Sequence, residues 1–122
     1  MTGYLYIAAT IALTVYGQLV LKWQVGKAGA MPVPPMEKVL FLGGLLLNPW
    51  VVSGFAAAFL ASLFWMAALS KFPLSYAYPF MSLSFVSVLL LSALIFAESI
   101  TLAKALGMAF LVLGLVVGSQ KW

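Results

Sequence analysis

The sequence has no cysteine and no histidine, and its only acidic residues are Glu37 and Glu98. Without thiols or imidazoles, disulfides, thiol and imidazole catalysis and the usual transition-metal sites are excluded. A supply of only two acidic side chains also argues against paired-carboxylate acid–base chemistry. We therefore expect neither an enzyme nor a bound metal or cofactor.

Apolar residues are in large excess. Of the 122 residues, 66% are hydrophobic and 7% are charged, whereas a typical soluble domain is about 45–50% apolar and about a quarter charged. About 80 apolar residues are what four membrane helices of about 20 residues each require. The composition predicts an all-α integral membrane protein and excludes a soluble enzyme. The net charge of +4 indicates contact with anionic membrane lipid and not with nucleic acid.

Hydrophobic stretches divide the chain into four predicted spans in a single domain covering residues 1–122. The spans are predicted at about residues 3–22, 49–70, 75–97 and 101–120. The first stretch is kept as a span because it lacks the basic region and cleavage site of a secretory signal. Residues 39–70 carry no charge, but one helix of that length would reach about 48 Å, beyond a hydrocarbon core of about 30 Å. Asn48 and Pro49 form the natural joint, as N-cap and first helical residue, which leaves a short interfacial helix at about 36–47.

The lysines are distributed unevenly between the two predicted membrane faces. One face carries Lys22, Lys27, Lys38 and Lys104, and the other carries Lys71 and Lys121. By the positive-inside rule the first group lies in the cytoplasm, with both termini outside.

Polar residues form a stripe on the first predicted helix. At about 100° per residue, Thr10, Thr14, Gly17 and Gln18 share one face, and Lys22 lies about 40° beyond Gln18. This face is predicted to point into the bundle or a wet cavity, because polar groups in hydrocarbon need partners. Two interpretations remain open. The stripe can be structural, with the threonines bonded to their own helix and Lys22 extended to the interface, or Gln18 and Lys22 can hold a phosphate.

The third predicted helix offers a second group of polar candidates. Ser75, Tyr78 and Ser82 fall within about 60° of one another. Serines in membrane helices serve packing more often than binding. Tyr78 is the stronger candidate, because its ring can line a lipid-facing cleft while its hydroxyl reaches a head group.

Small residues mark two helices for close packing. The second predicted span carries Gly54, Ala57, Ala58, Ala61 and Ser62, and the fourth carries Ala103, Gly107, Gly114 and Gly118. Gly114 and Gly118 form a GxxxG pair, which permits close approach of helices. Such a stripe can seat a helix within its own subunit or form a dimer contact, and we favour the dimer.

Three segments resemble the drug/metabolite transporter superfamily. They are LSYAYP with SLSFV behind it (residues 74–79 and 82–86), Gly17-Gln18 followed by Lys22, and Glu98-Ser-Ile-Thr101 leading to Gly107 and Gly114. The chain is most similar to the short four-helix branch, which is small multidrug resistance-like or EamA-like. Within that branch it most resembles the subunits of the aminoarabinose–undecaprenyl phosphate flippase.

The resemblance implies a flippase for a polyprenyl phosphate or its sugar conjugate in the bacterial inner membrane. The candidate substrate-binding residues are Lys22, Gln18, Thr14, Tyr78, Ser82 and Lys71. We expect the phosphate to dock near Lys22, the hydroxyl groups to line the path, and Lys71 to receive the head group on the opposite face. Four helices are too few to enclose a path, so a homodimer or a heterodimer with a similar short subunit is expected.

Two alternatives remain open at this stage. One is a small-solute or drug exporter of the same fold, and the other is an accessory subunit that transports nothing. The small multidrug resistance exporters carry a membrane-embedded glutamate where this chain has Thr14. A hydroxyl cannot exchange a proton near neutral pH, which argues against proton-coupled export of cationic drugs.

Overall fold

The computed structural model describes residues 2–120 as helices joined by short turns. The helices are α1 (Thr2–Ala28), α2 (Pro35–Leu46), α3 (Pro49–Leu69), α4 (Leu74–Ala77), a 3-10 turn (Tyr78–Met81), α5 (Ser82–Ile95) and α6 (Leu102–Gly118). Three stretches are long and apolar enough to cross a membrane, namely α1, α3 and the combined stretch Leu74–Ile95, and α6 is a shorter apolar helix. The prediction of an all-α membrane protein is confirmed. Lys121, predicted on one face, lies outside the described residues.

Helices α1 and α3 form a close antiparallel pair through their small residues. A Cβ added to Gly17 would lie 3.0 Å from the carbonyl oxygen of Gly54. The side of α3 that faces α1 is buried, and Ala61 belongs to it. Thr10 is also buried, and its hydroxyl donates to the carbonyl of Tyr6 at 2.8 Å and lies 3.4 Å from that of Ala61. The predicted close contact of the second span is therefore confirmed, and Thr10 follows the structural interpretation.

Asn48 begins α3 and also ties it to α1. Its side-chain oxygen accepts from the backbone N–H of Trp50 at 2.8 Å, and Pro49 follows as the first helical residue. The predicted joint is confirmed. The same amide donates to Oε1 of Gln24 at 2.9 Å. Gln24 is only 3% exposed, so the Asn48 side chain satisfies both a helix end and the buried carbonyl of Gln24, whose Nε2 has no hydrogen-bond partner among residues 2–120.

Replacement of Asn48 by alanine is expected to lower stability by about 1–3 kcal/mol. The substitution removes the helix cap and leaves the buried carbonyl of Gln24 without its donor. The midpoint of thermal unfolding in detergent measures the loss. Thr101→Ala is the matched control, because Thr101 caps α6 through the N–H of Lys104 at 3.2 Å and is exposed. Equal shifts for the two variants would contradict the second role of Asn48.

The third predicted span is interrupted near its start. At Pro79 the backbone tightens into the 3-10 turn. The cause is the missing N–H of proline. At the other end α5 stops at Ile95, two residues short of the predicted 97. Ala97 then adopts a φ of 55°, the left-handed conformation that commonly ends a helix.

Helix α1 runs beyond residue 22, where the first span was predicted to end, and continues to Ala28. No residue breaks the helix before Gly29, whose φ is 90°. Helix α2 has no buried residue. An apolar cavity of about 330 Å³ lies between it and the α1–α3 pair.

Helix α6 buries little of its surface within residues 2–120. Among its residues only Leu115 is buried. A Cβ added to Gly107, Gly114 or Gly118 would meet no atom within 4 Å. The glycines therefore do not seat α6 against any other part of residues 2–120.

Candidate functional site: an apolar groove ending in an ion pair

An ion pair lies where α1 meets the connection between α5 and α6. Nζ of Lys22 is 3.6 Å from Oε2 of Glu98, and the two side chains are 58% and 40% exposed. So exposed a pair contributes little to stability, because water and salt screen it. Each of the two side chains can therefore leave the other and pair with a charged group of a ligand at a small cost in free energy.

Two apolar cavities lead towards this ion pair along α1 and α5. The larger, of about 680 Å³, is lined by residues that include Ile11, Val15, Leu19, Leu83 and Leu91. The smaller, of about 210 Å³, is lined by Leu19, Val20, Trp23, Ile95 and Phe96. We call these two cavities together the α1–α5 groove, since Leu19 belongs to both. Trp23 adjoins Lys22 in sequence, and Phe96 comes two residues before Glu98.

The groove and the ion pair together match an amphiphilic ligand. A flexible apolar chain can lie along the groove, because its walls offer hydrophobic side chains and few polar groups. A charged head group can then contact Lys22 or Glu98. This arrangement has the chemistry of a site for a lipid whose head group bears charge.

Thr14 and Tyr78 lie together on a different cavity. It has a volume of about 270 Å³ between α1, α3 and the 3-10 turn, and Thr10, Ser62 and Trp65 also line it. The ring of Tyr78 lies edge-on to Trp65, with centroids 6.1 Å apart. Three hydroxyl groups from α1 and α3 and one from the 3-10 turn make this the more polar cavity.

The remaining predicted site residues are dispersed. Gln18 is exposed, one turn before Lys22. Gln18 does not share the buried side of α1 with Thr10 and Gly17, because the stripe drifts by about 40° every four residues and leaves the contact with α3. The hydroxyl of Ser82 is buried without a hydrogen-bond partner among residues 2–120. Lys71 is exposed in the turn after α3, at the opposite end of the molecule from Lys22.

Aromatic residues close the end at which Lys71 lies. The hydroxyls of Tyr4 and Tyr76 are 2.6 Å apart. The ring of Phe72 lies 4.9 Å from Tyr4, and Phe80 lies 5.3 Å from Tyr76, between centroids. The sequence analysis singled out Tyr78 and missed Tyr76, which is the buried tyrosine of the LSYAYP tract.

Glu98 and Gln24 are the other polar residues that the sequence analysis did not select. Glu98 was assigned to a turn, and its partner is distant in the chain. Gln24 lay beyond the predicted end of the first span. A helix continued past Lys22 would have placed Gln24 one turn after Val20, on the buried side.

Comparison with known proteins finds relatives that are similar over most of this chain. No protein-family model and no solved structure matches the chain. A protein of Aeromonas hydrophila is 37% identical, over 96% of this chain and 79% of its own length. Proteins of Yersinia enterocolitica and Serratia proteamaculans are 37% and 34% identical, over 94% and 98% of this chain and 91% and 95% of their own.

All three relatives carry the same name, "Probable 4-amino-4-deoxy-L-arabinose-phosphoundecaprenol flippase subunit ArnF". In each comparison the similarity extends over most of this chain and most of the relative, so it includes every helix described above. At this identity and coverage, the chain belongs to the ArnF family of flippase subunits.

Proposed function

We propose that this chain is one subunit of a flippase for a polyprenyl phosphate-linked amino sugar. The observation that carries the proposal is its similarity, over nearly its whole length, to subunits named for 4-amino-4-deoxy-L-arabinose-phosphoundecaprenol. A flippase moves a lipid between leaflets without breaking its bonds, so the protein is a transporter and not an enzyme. It is a multi-pass protein of the bacterial inner membrane, in keeping with its apolar helices.

The proposed topology is a single domain over residues 1–122 with four spans and a small multidrug resistance-like fold. The contacts at the two ends support it: Lys22 meets Glu98 at one end, and Tyr4 meets Tyr76 at the other. Helix α6 would be the fourth span, although its 17 residues reach only about 26 Å and need the adjoining turns. Helix α2, which has no buried residue, would be the interfacial helix.

In the proposed mechanism the prenyl chain occupies the α1–α5 groove and the phosphate contacts Lys22. Gln18, exposed one turn earlier, supplies a second donor. As the head group crosses, the hydroxyls of Thr14, Tyr78 and Ser82 replace water, because a polar group without partners is costly in hydrocarbon. Lys71 receives the head group at the far end.

A second subunit completes the path in this proposal. The glycines of α6 support it, since a Cβ added to Gly107, Gly114 or Gly118 would meet no atom of another helix within 4 Å among residues 2–120. The partner is a second copy or a similar short subunit, and the relatives are themselves named as subunits. The position of Thr14 gives no support to a proton-coupled drug exporter, because its hydroxyl does not titrate near neutral pH.

Transport by reconstituted protein tests the proposal. The chain, alone and as the complex that co-purifies from its own membrane, is placed in liposomes with 4-amino-4-deoxy-L-arabinose-phosphoundecaprenol. We expect flipping, slowed about tenfold by Lys22→Ala, because a charge-assisted contact to the phosphate is lost. Lys104→Ala is the matched control. Lys104 lies at the same end, with Nζ 3.5 Å from the carbonyl of Ser99, and its loss should leave the rate within about twofold.

The possible outcomes separate the function from the site. If neither preparation flips this lipid, the proposed function is wrong. If the wild type flips it and Lys22→Ala is as fast, the role given to Lys22 is wrong while the function stands.

A further inference from the structure

We infer that Glu98 binds the amino group of the substrate, so that one amine-bearing lipid phosphate replaces the Lys22–Glu98 ion pair charge for charge. The inference rests on the proposed function and assigns a specificity residue for it. The established similarity names the lipid but gives no residue that recognises its sugar.

The first support is the composition of the ion pair. Among residues 2–120, Lys22 and Glu98 form the one ion pair that joins two side chains. The sequence has only one other carboxylate, Glu37, in the first turn of α2. Glu98 is thus the negative side chain that the fold brings to the end of the α1–α5 groove.

The second support is the backbone that places Glu98. After α5 ends, Ala97 takes a left-handed φ of 55°, which is unfavourable for a residue with a Cβ. The N–H of Glu98 then lies 3.4 Å from the carbonyl of Ser92. This sharp reversal directs the chain back across the end of α5, and the carboxylate of Glu98 reaches α1.

The third support is charge complementarity with the lipid that the relatives are named for. That lipid carries a negative phosphate link and an amine, which is protonated near neutral pH as simple alkyl amines are. The phosphate pairs with Lys22 and the ammonium with Glu98, so both protein charges keep a partner when the ligand binds. From the head group the prenyl chain extends along the α1–α5 groove, past Leu19 and Phe96.

The same pair would disfavour lipids that lack the amine. A phosphate that takes Lys22 away from Glu98 without supplying a cation leaves two negative groups side by side. Lys22 alone attracts any lipid phosphate, whereas the pair selects for one that brings its own positive charge. Selectivity therefore depends on Glu98 and affinity for phosphate on Lys22.

The experiment compares two lipids that differ only in the amine. Liposomes contain either 4-amino-4-deoxy-L-arabinose-phosphoundecaprenol or its N-acetylated form, which has no positive charge. The wild type is expected to flip the amine form about tenfold faster. Glu98→Gln should lose this tenfold preference, because the amine form loses its carboxylate partner while the N-acetylated form no longer meets an unpaired carboxylate. Glu98→Asp, which keeps the charge, should retain the preference, and Glu37→Gln should behave as the wild type.

Each other outcome overturns the inference in a recognisable way. If Glu98→Gln slows both lipids equally, Glu98 has only a structural role. If it speeds both, Glu98 is merely a counter-ion that competes for Lys22. If the wild type flips both lipids equally, the inferred selectivity is wrong and the proposed function stands. If the wild type flips neither lipid, the selectivity and the proposed function are both wrong.

Discussion

Replacement of Gly17 by leucine is expected to abolish the folded protein. A Cβ at this position would already lie 3.0 Å from the backbone oxygen of Gly54, and backbone cannot move aside as a flexible side chain can. The remaining leucine atoms would separate α1 from α3, which share most of the buried small residues. The yield of monodisperse protein after extraction in mild detergent measures the effect.

Smaller substitutions at the same crossing provide a graded control. Gly17→Ala should fold with a loss of about 1–3 kcal/mol, the usual cost of overpacking. Gly54→Ala should cost less, because its Cβ would lie 3.5 Å from the oxygen of Gly17, an ordinary contact. A Gly17→Leu protein as stable as the wild type, or a larger cost at Gly54 than at Gly17, would contradict the described crossing.

Replacement of Gly114 by leucine is expected to convert the proposed dimer into monomers and to abolish transport. The new side chain would stand in the GxxxG stripe and keep two helices from close approach. Folding of the single chain should be unaffected, since nothing in residues 2–120 lies within 4 Å of the added Cβ. Crosslinking in the membrane, together with thermal unfolding of the purified chain, distinguishes loss of assembly from loss of fold.

Gly43→Leu is the matched control for this substitution. Gly43 lies in α2, and its added Cβ also meets no atom within 4 Å. It should leave the oligomeric state and the transport rate unchanged. A Gly114→Leu protein that still crosslinks as a dimer would show that α6 does not form the interface.

The helices could be predicted from sequence because their signals are local. Asn48-Pro49 combines a capping side chain with a residue suited to the first helical turn, and the structure uses both. The small residues of α3 predicted a close neighbour, and α1 is that neighbour. Apolar composition predicted four spans, and within residues 2–120 three stretches are long enough to cross a membrane, with α6 as a shorter apolar helix.

The site was harder to predict because its contacts join distant parts of the chain. Lys22 could be selected for its place at the predicted end of the first span, but its partner Glu98 follows a reversal that depends on one left-handed residue, Ala97. No helical periodicity specifies that conformation. Gln18 was grouped with Thr10 although, at about 100° per residue, it lies about 80° from Thr10 around the helix, and that rotation takes it out of the contact with α3. The α1–α5 groove needs both helices in place before it exists.

Different kinds of contact lie at the two ends of the helix bundle. At one end, Tyr4 and Tyr76 are held by a contact between their hydroxyls and by neighbouring aromatic rings. At the other end, Lys22 and Glu98 attract each other through partly solvated charges. Dissolved ions screen the attraction between Lys22 and Glu98 and leave the contact between Tyr4 and Tyr76 nearly unchanged. A change in salt concentration is therefore expected to alter the contact at the Lys22 end of the protein and to leave the aromatic end unchanged.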